Sequence, residues 1–312
     1  MTKSKKKISD NPLTPEMMQM DNAKLFEYIK NQNFGSIEEI NDFLNKNVIG
    51  KRIDEVVPLK KGRKSNKEKS DDLMYQAYDN DPVKGKKLAE EALKLNPENV
   101  RALNYLADCE ENIEDAFKLY KQAVEIGAKQ LGADFFKENK GHFWGMHETR
   151  PYMTAKLNYA DCLDALGKTN ESIKEFEEML DLNPGDNQGV RYILASVLLR
   201  NKKYDAFYKL YKQNEDDNSA FWLFNYALFL FITEGASPKA NKALYDAHQK
   251  NKNVIPLMTM KKKIKEDVPG YYSRGDENEA TYYVMDNFHT WIDYPDALEW
   301  VFSFAETNKR EE

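Results

Sequence analysis

Residues 153–186 read MTAKLNYADCLDALGKTNESIKEFEEMLDLNPGD, and these 34 residues decide the fold. Tyr159, Ala160 and Leu163 lie on one helical face; Gly167 then supplies the positive φ that ends a helix. Ser172 opens a second run in which Ile173, Phe176 and Leu180 share a face, and Pro184, after Leu182 and Asn183, cannot continue it. The same spacing recurs outward from this stretch. Ser172, Ala206 and Ala240 fall in step, as do Gly167, Asn201 and Gly235, Ala160, Leu194 and Leu228, and Phe176, Leu210 and Leu244. A fixed period of 34 built from helical patterns marks an array of helix-turn-helix units, each burying its apolar face by stacking on its neighbours. The expected fold class is an all-α superhelical solenoid with a C-terminal helical cap.

Around this core the chain reads as five stretches. Residues 1–20 mix Lys, Pro and Met without period and are expected as a disordered tail; residues 21–57 hold two short helices, the second capped by Ser36 with Glu39 at its third position. Residues 58–69 read as a basic linker. Residues 70–254 carry five helix pairs, with the first ending at Leu95-Asn96-Pro97 and the second carrying Ala107, Ala116, Tyr120 and Ala123. From Ala116 to Ser172 is one period plus an excess, which places an insertion at 131–152. Residues 255–312 supply capping helices: Ala280, Tyr283, Val284, Phe288 and Trp291 share a helical side, Asp276 caps that helix with Glu279 in its first turn, and Pro295 starts the last one.

Composition excludes several classes. A chain of 312 residues with 41% hydrophobic and 31% charged residues can bury a sizeable core and suits a soluble protein. Cys109 and Cys162 give neither a disulfide framework nor metal-ligand spacing, and a reducing compartment follows. The Lys3–Lys7 run is followed by polar residues, not by the apolar core of a signal peptide. Phe221 to Ile232 is interrupted by Asn225 and falls short of the roughly 20 residues a membrane span needs, so it reads as a helix buried on most sides. Residues 1–70 carry 15 Lys and Arg against 10 Asp and Glu, while the remainder carries 31 against 42. A basic head therefore sits on an acidic body. Lys60, Lys61, Arg63, Lys64, Lys67 and Lys69 could contact nucleic acid, but no aromatic residue interleaves them as a stacking platform needs.

The insertion is dense in aromatic and ionisable side chains. His142, Trp144, Arg150 and Tyr152 form a candidate pocket, with Arg150 as a fork for a carboxylate and Trp144 as a wall. The alternative is packing, with Phe143 and Trp144 plugging the gap between the second and third units. A metal-dependent enzyme using residues 142–148 is a further alternative, although His142 and His147 are five apart where a zincin helix needs four, and no third ligand is placed. No nucleophile elbow, phosphate-binding glycine loop or Cys/His dyad is present. The expectation is a protein without catalysis, cofactor or metal.

The pattern of Tyr159, Ala160, Ser172, Phe176 and Pro184 resembles the tetratricopeptide repeat consensus, and residues 70–254 are identified as similar to that superfamily. Glu148 to Met153, Tyr271 to Asp276, Glu279-Ala280, Trp291 and Ala297-Leu298 are similar to the suppressor-of-tumorigenicity-like tetratricopeptide proteins of bacteria, over residues 140–305. That resemblance implies no assigned chemistry. Together with the polar termini it points to a bacterial, cytoplasmic protein.

Stacked helix pairs of this kind line a concave face with their first helices, here termed A helices, and accept a peptide or helix there. By register the contacts are Arg101, Tyr105, Asp108, Asn158, Asp161, Arg191, Trp222, Asn225 and Phe229. The expected function is an interaction scaffold or adaptor for an unidentified protein or peptide. The acidic body suggests a basic segment as ligand, the chain's own basic head included.

Overall fold

The computed structural model describes residues 13–58 and 62–307. Among these the secondary structure is helical throughout, without a strand, in keeping with a tetratricopeptide-like helical array. Contacts divide the chain into two compact units, residues 1–187 and 188–312, at the joint between the third and fourth helix pairs.

Unit 1 begins with an N-terminal arm of three helices, α1 (Pro15–Lys30), α2 (Ile37–Asn47) and α3 (Ile53–Val56). Helix α1 starts inside the stretch expected to be a disordered tail. The cause is local: Thr14 accepts a hydrogen bond from Met17 N at 3.2 Å, and Pro15 occupies the first helical position, where its missing N–H costs nothing. Three stacked pairs follow, α4 (Asn66–Tyr78) with α5 (Pro82–Leu95), α6 (Val100–Asp108) with α7 (Ile113–Leu131), and, after α8 (Ala133–Asn139) and a 3-10 turn at Phe143–Gly145, α9 (Arg150–Ala165) with α10 (Thr169–Leu182). Helix α4 also starts early, within the expected linker 58–69. Ser65 and Glu68 form a reciprocal capping box there, and Lys60 and Lys61 lie outside the described residues.

Small residues let the paired helices approach. Ser172 Oγ donates to Ala160 O at 2.8 Å across α9 and α10, and Ser70 Oγ to Ala92 O at 2.8 Å across α4 and α5, all four residues being fully buried. Gly85 of α5 is required by a close approach, because a Cβ there would stand 1.9 Å from the Tyr105 hydroxyl and 2.9 Å from Ala77 O. The insertion is a packed aromatic knot. Phe143 is buried between Phe136 and Tyr152, at ring separations of 4.9 and 6.3 Å, and Arg150–Tyr152 already form the first turn of α9.

Unit 2 contains α11 (Val190–Arg200) paired with α12 (Tyr204–Gln213), α13 (Ala220–Glu234) paired with α14 (Pro238–Lys250), a short α15 (Val254–Met258), α16 (Glu277–Ile292) and α17 (Pro295–Thr307). Helix α13 is apolar on nearly every side because α11, α12, α14, α16 and α17 all pack on it. Asp276 caps α16 by accepting from Glu279 N at 2.7 Å. The Glu279 carboxylate, itself buried, accepts from Gly275 N, Asn251 Nδ2 and Ala220 N at 2.7, 2.9 and 2.9 Å, so it fastens the start of α16 to the start of α13.

Candidate partner-binding groove

In unit 2 the A-helix face is already filled. Helix α16 lies on both α11 and α13: Thr290 and Ser196 hydroxyls meet at 2.6 Å, and Asn225 Nδ2 donates to Asn287 Oδ1 at 3.1 Å. Asn225 Oδ1 in turn accepts from the Tyr283 hydroxyl at 3.2 Å, which accepts from Trp291 Nε1 at 2.7 Å. Asn225, expected to touch a partner, is therefore completely covered by the chain's own helix. Trp222 and Phe229 depart from expectation too, since α13 turns them toward α12. Trp222 stacks with Tyr211 at 6.0 Å, and Phe229 packs against Phe207 and Tyr208 at 5.0 and 5.7 Å.

Arg191 is engaged within its own unit. Its Nη2 and Nε reach Asp217 Oδ2 at 2.6 and 3.2 Å, and its guanidinium lies 4.5 Å from the Tyr192 ring centre. Burial acts to raise the Asp217 pKa, but hydrogen bonds from the Tyr192 hydroxyl, Arg191 and Ser219 outweigh it and bring the carboxyl down to about 2. This ion pair orders the loop before α13 and is a structural feature of unit 2.

Unit 1 presents a different picture. Its A helices α4, α6 and α9 turn their first turns toward a cavity of about 410 Å³, roofed by Met20, Ala23, Lys24 and Glu27 of α1. Arg101, Asp71, Asn99, Glu148 and Tyr152 line the opposite side. Desolvation pulls the Arg101 guanidinium below its usual range, against the pull of Tyr78, Asp71 and Glu16, none of which reaches it through a hydrogen bond or ion pair. Burial raises the Asp71 carboxyl. Helix α1 is held by the Tyr75 hydroxyl, which donates to Asp21 Oδ2 at 3.0 Å, and by Lys24 over the Tyr75 ring at 4.6 Å. Burial and the neighbouring Asp21 carboxylate push the Tyr75 hydroxyl up to about 12.

The remaining expected contacts of unit 1 scatter. Tyr105 packs edge-on to Tyr78 at 5.5 Å and over Gly85, a contact between helix pairs. Asp108 accepts from the Tyr120 hydroxyl, with Asn158 beside it, and Asp161 is exposed. Of the four residues expected to form an insertion pocket, Arg150 and Trp144 come together while His142 and Tyr152 lie elsewhere. Arg150 Nε donates to Trp144 O at 3.2 Å and its guanidinium sits 5.3 Å from the Trp144 ring centre, whereas Tyr152 is buried in the aromatic knot beneath the α1 cavity. His142 borders a separate shallow cavity with Met146, Asn183 and Asn187, and His147 faces Phe26 of α1 at 6.2 Å. Among the described residues no three His, Cys, Asp or Glu side chains gather as metal ligands. Lys64 of the basic segment is paired with Asp72.

Two family models match parts of the chain. Residues 75–130, from α4 to α7, match the family described as Tetratricopeptide repeat. Residues 175–301, from α10 to α17, match the family described as Transcriptional repressor TCF25, a different group from the suppressor-of-tumorigenicity-like proteins suggested by the motifs. Comparison with curated proteins gives no match. No helix among the described residues is long and apolar enough to cross a membrane.

Proposed function

We propose that this protein is a non-catalytic interaction scaffold of the cytosol whose binding face is the A-helix side of unit 1. One observation carries the reading: a helix already lies on that face, seated by two buried methionines and a tyrosine–carboxylate hydrogen bond, in the manner of a helix held in a groove. The tetratricopeptide match over α4 to α7 supports it, because arrays of this kind commonly hold protein ligands. Arg101 is the residue best placed to be a partner anchor, being desolvated, without an ion pair among the described residues, and part of the cavity lining. A ligand carboxylate would find its counterpart in Arg101, within a lining of mixed charge in which Glu27, Asp71, Glu98 and Glu148 stand against Lys24, Lys67 and Arg101.

The match of residues 175–301 supports a second, narrower reading, a partner drawn from the transcription machinery. Contact with nucleic acid through residues 60–69 is a third, and a steep loss of binding with salt would mark it. Photo-crosslinking tests the scaffold reading. A crosslinker at Lys67 or Glu148, on the rim of the cavity, should capture a discrete protein partner, while one at exposed Lys121 on α7 should not. Equal capture from Lys121, or none from the rim, would place the binding face elsewhere.

A further inference from the structure

The N-terminal arm is fastened to the repeats by very little. Neither α2 nor α3 contributes a buried residue, and in α1 only Met17, Met20 and Asp21 are buried, while Met18 and Phe26 remain 45% and 63% exposed. The fit beneath α1 is also incomplete in ways that chemistry makes specific. A cavity of about 410 Å³ separates Ala23 and Met20 from Arg101 and Tyr152. Asp21 Oδ1 and His147 Nδ1 are buried without a hydrogen-bond partner, although most buried polar atoms in a native structure have one. Arg101 lines the same space, and among the described residues no carboxylate forms an ion pair with it.

From this we propose that α1 is an intramolecular stand-in for the true ligand, an acidic amphipathic helix of a partner protein. That helix repeats the spacing of Met17, Met20, Asp21 and Lys24 and adds a carboxylate, at the position of Ala23, that pairs with Arg101. The spacing i, i+3, i+4, i+7 is that of a single helical face, which is how a helix is read by a groove. Helix α1 supplies the two apolar anchors and the carboxylate for Tyr75, yet places a methyl group where Arg101 offers a charged fork. A partner helix that supplies both has the better fit, and the lightly held arm can yield to it. The inference rests on the reading of this face as the binding face and adds to it the chemistry of the ligand and the competition by α1.

The test uses the full chain and two labelled peptides of residues 13–32, one native and one with Ala23→Glu. In the wild-type protein α1 competes, so both peptides should bind weakly. In the full-length Met17→Asp/Met20→Asp variant, in which α1 cannot seat, both should bind about tenfold or more tightly than to the wild type, the Ala23→Glu peptide the more so. Adding Arg101→Ala to that variant should erase the advantage of Ala23→Glu and leave binding of the native peptide. Circular dichroism verifies the fold, and if the double Asp variant is unfolded, Met20→Ala gives the same comparison with a smaller gain. Absence of binding by a folded variant, equal binding to wild type and variant, or an Ala23→Glu advantage that survives Arg101→Ala would each overturn the proposal. Crosslinks from the groove rim alongside such a result would leave the binding face standing and remove only this ligand.

Discussion

Replacing Asn225 by Ala tests whether α16 is an integral part of unit 2. The Asn225 side chain is fully buried and serves two partners, the Asn287 carboxamide oxygen at 3.1 Å and the Tyr283 hydroxyl at 3.2 Å. Removing it leaves the Asn287 carboxamide oxygen without that donor and the Tyr283 hydroxyl without its acceptor, although the hydroxyl still accepts from Trp291 Nε1. Each such orphan costs about 1–3 kcal/mol, so a total loss of about 2–5 kcal/mol is expected. Tyr283→Phe should cost about 2–6 kcal/mol by stranding both Trp291 Nε1 and Asn225 Oδ1. Because the two variants share one hydrogen bond, the double variant should lose less than the sum, by about 1 kcal/mol. Urea denaturation followed by tryptophan fluorescence suits the measurement, since Trp222, Trp291 and Trp300 all lie in unit 2. A loss below about 1 kcal/mol for Asn225→Ala, or strict additivity in the double variant, would refute the network and with it the seating of α16 on α13.

Two further outcomes are expected. The Asp217 carboxyl titrates near 2 in the fold and near 3.8 when unpaired, so its contribution is complete above about pH 4 and is lost as pH falls toward 2. It amounts to about 2 kcal/mol, and the difference in stability between wild type and Asp217→Asn, measured from pH 6 to 2, should shrink by that much; a constant difference would contradict the Arg191–Asp217 pairing. In an ordinary helix Gly→Ala stabilises by about 0.5–1 kcal/mol, but at Gly85 the new methyl would enter the Tyr105 hydroxyl and the Ala77 carbonyl. Gly85→Ala should therefore destabilise by about 1–3 kcal/mol, with partial rescue by Tyr105→Phe, and a rise in melting temperature would show that α5 and α6 are not in such close contact.

The period of 34 made the helix pairs legible because each pair repeats one local geometry, as Gly167, Ser172 and Pro184 show. The cap at Asp276 and the burial of α13 on most sides were legible for the same reason: both are written in consecutive residues. Two helix starts were written just as locally and give signals that the lysine runs beside them obscured, Thr14-Pro15-Glu16 for α1 and Ser65 to Glu68 for α4. The candidate site was harder to read, because a register of A-helix positions assumes that the face they line is open. Helix α16 reaches Asn225 from 62 residues away, and Asp217 reaches Arg191 from 26. Neither partner is encoded near the residue it occupies. Of the expected partner contacts, Arg101 lines the cavity beneath α1, and the position of α1 as its roof has no signal in the spacing of the repeats.

Hydrogen exchange on the full-length protein tests most directly the claim that the A-helix faces of the two units are filled in different ways. The amides of α16 should be protected to the level of α11 and α13, which they cannot leave without baring a buried network, while those of α1 should exchange markedly faster than those of α4 to α7, through local release of the arm. Protection of α1 equal to that of α4 to α7 would contradict the account, as would an α16 that exchanges as fast as α1.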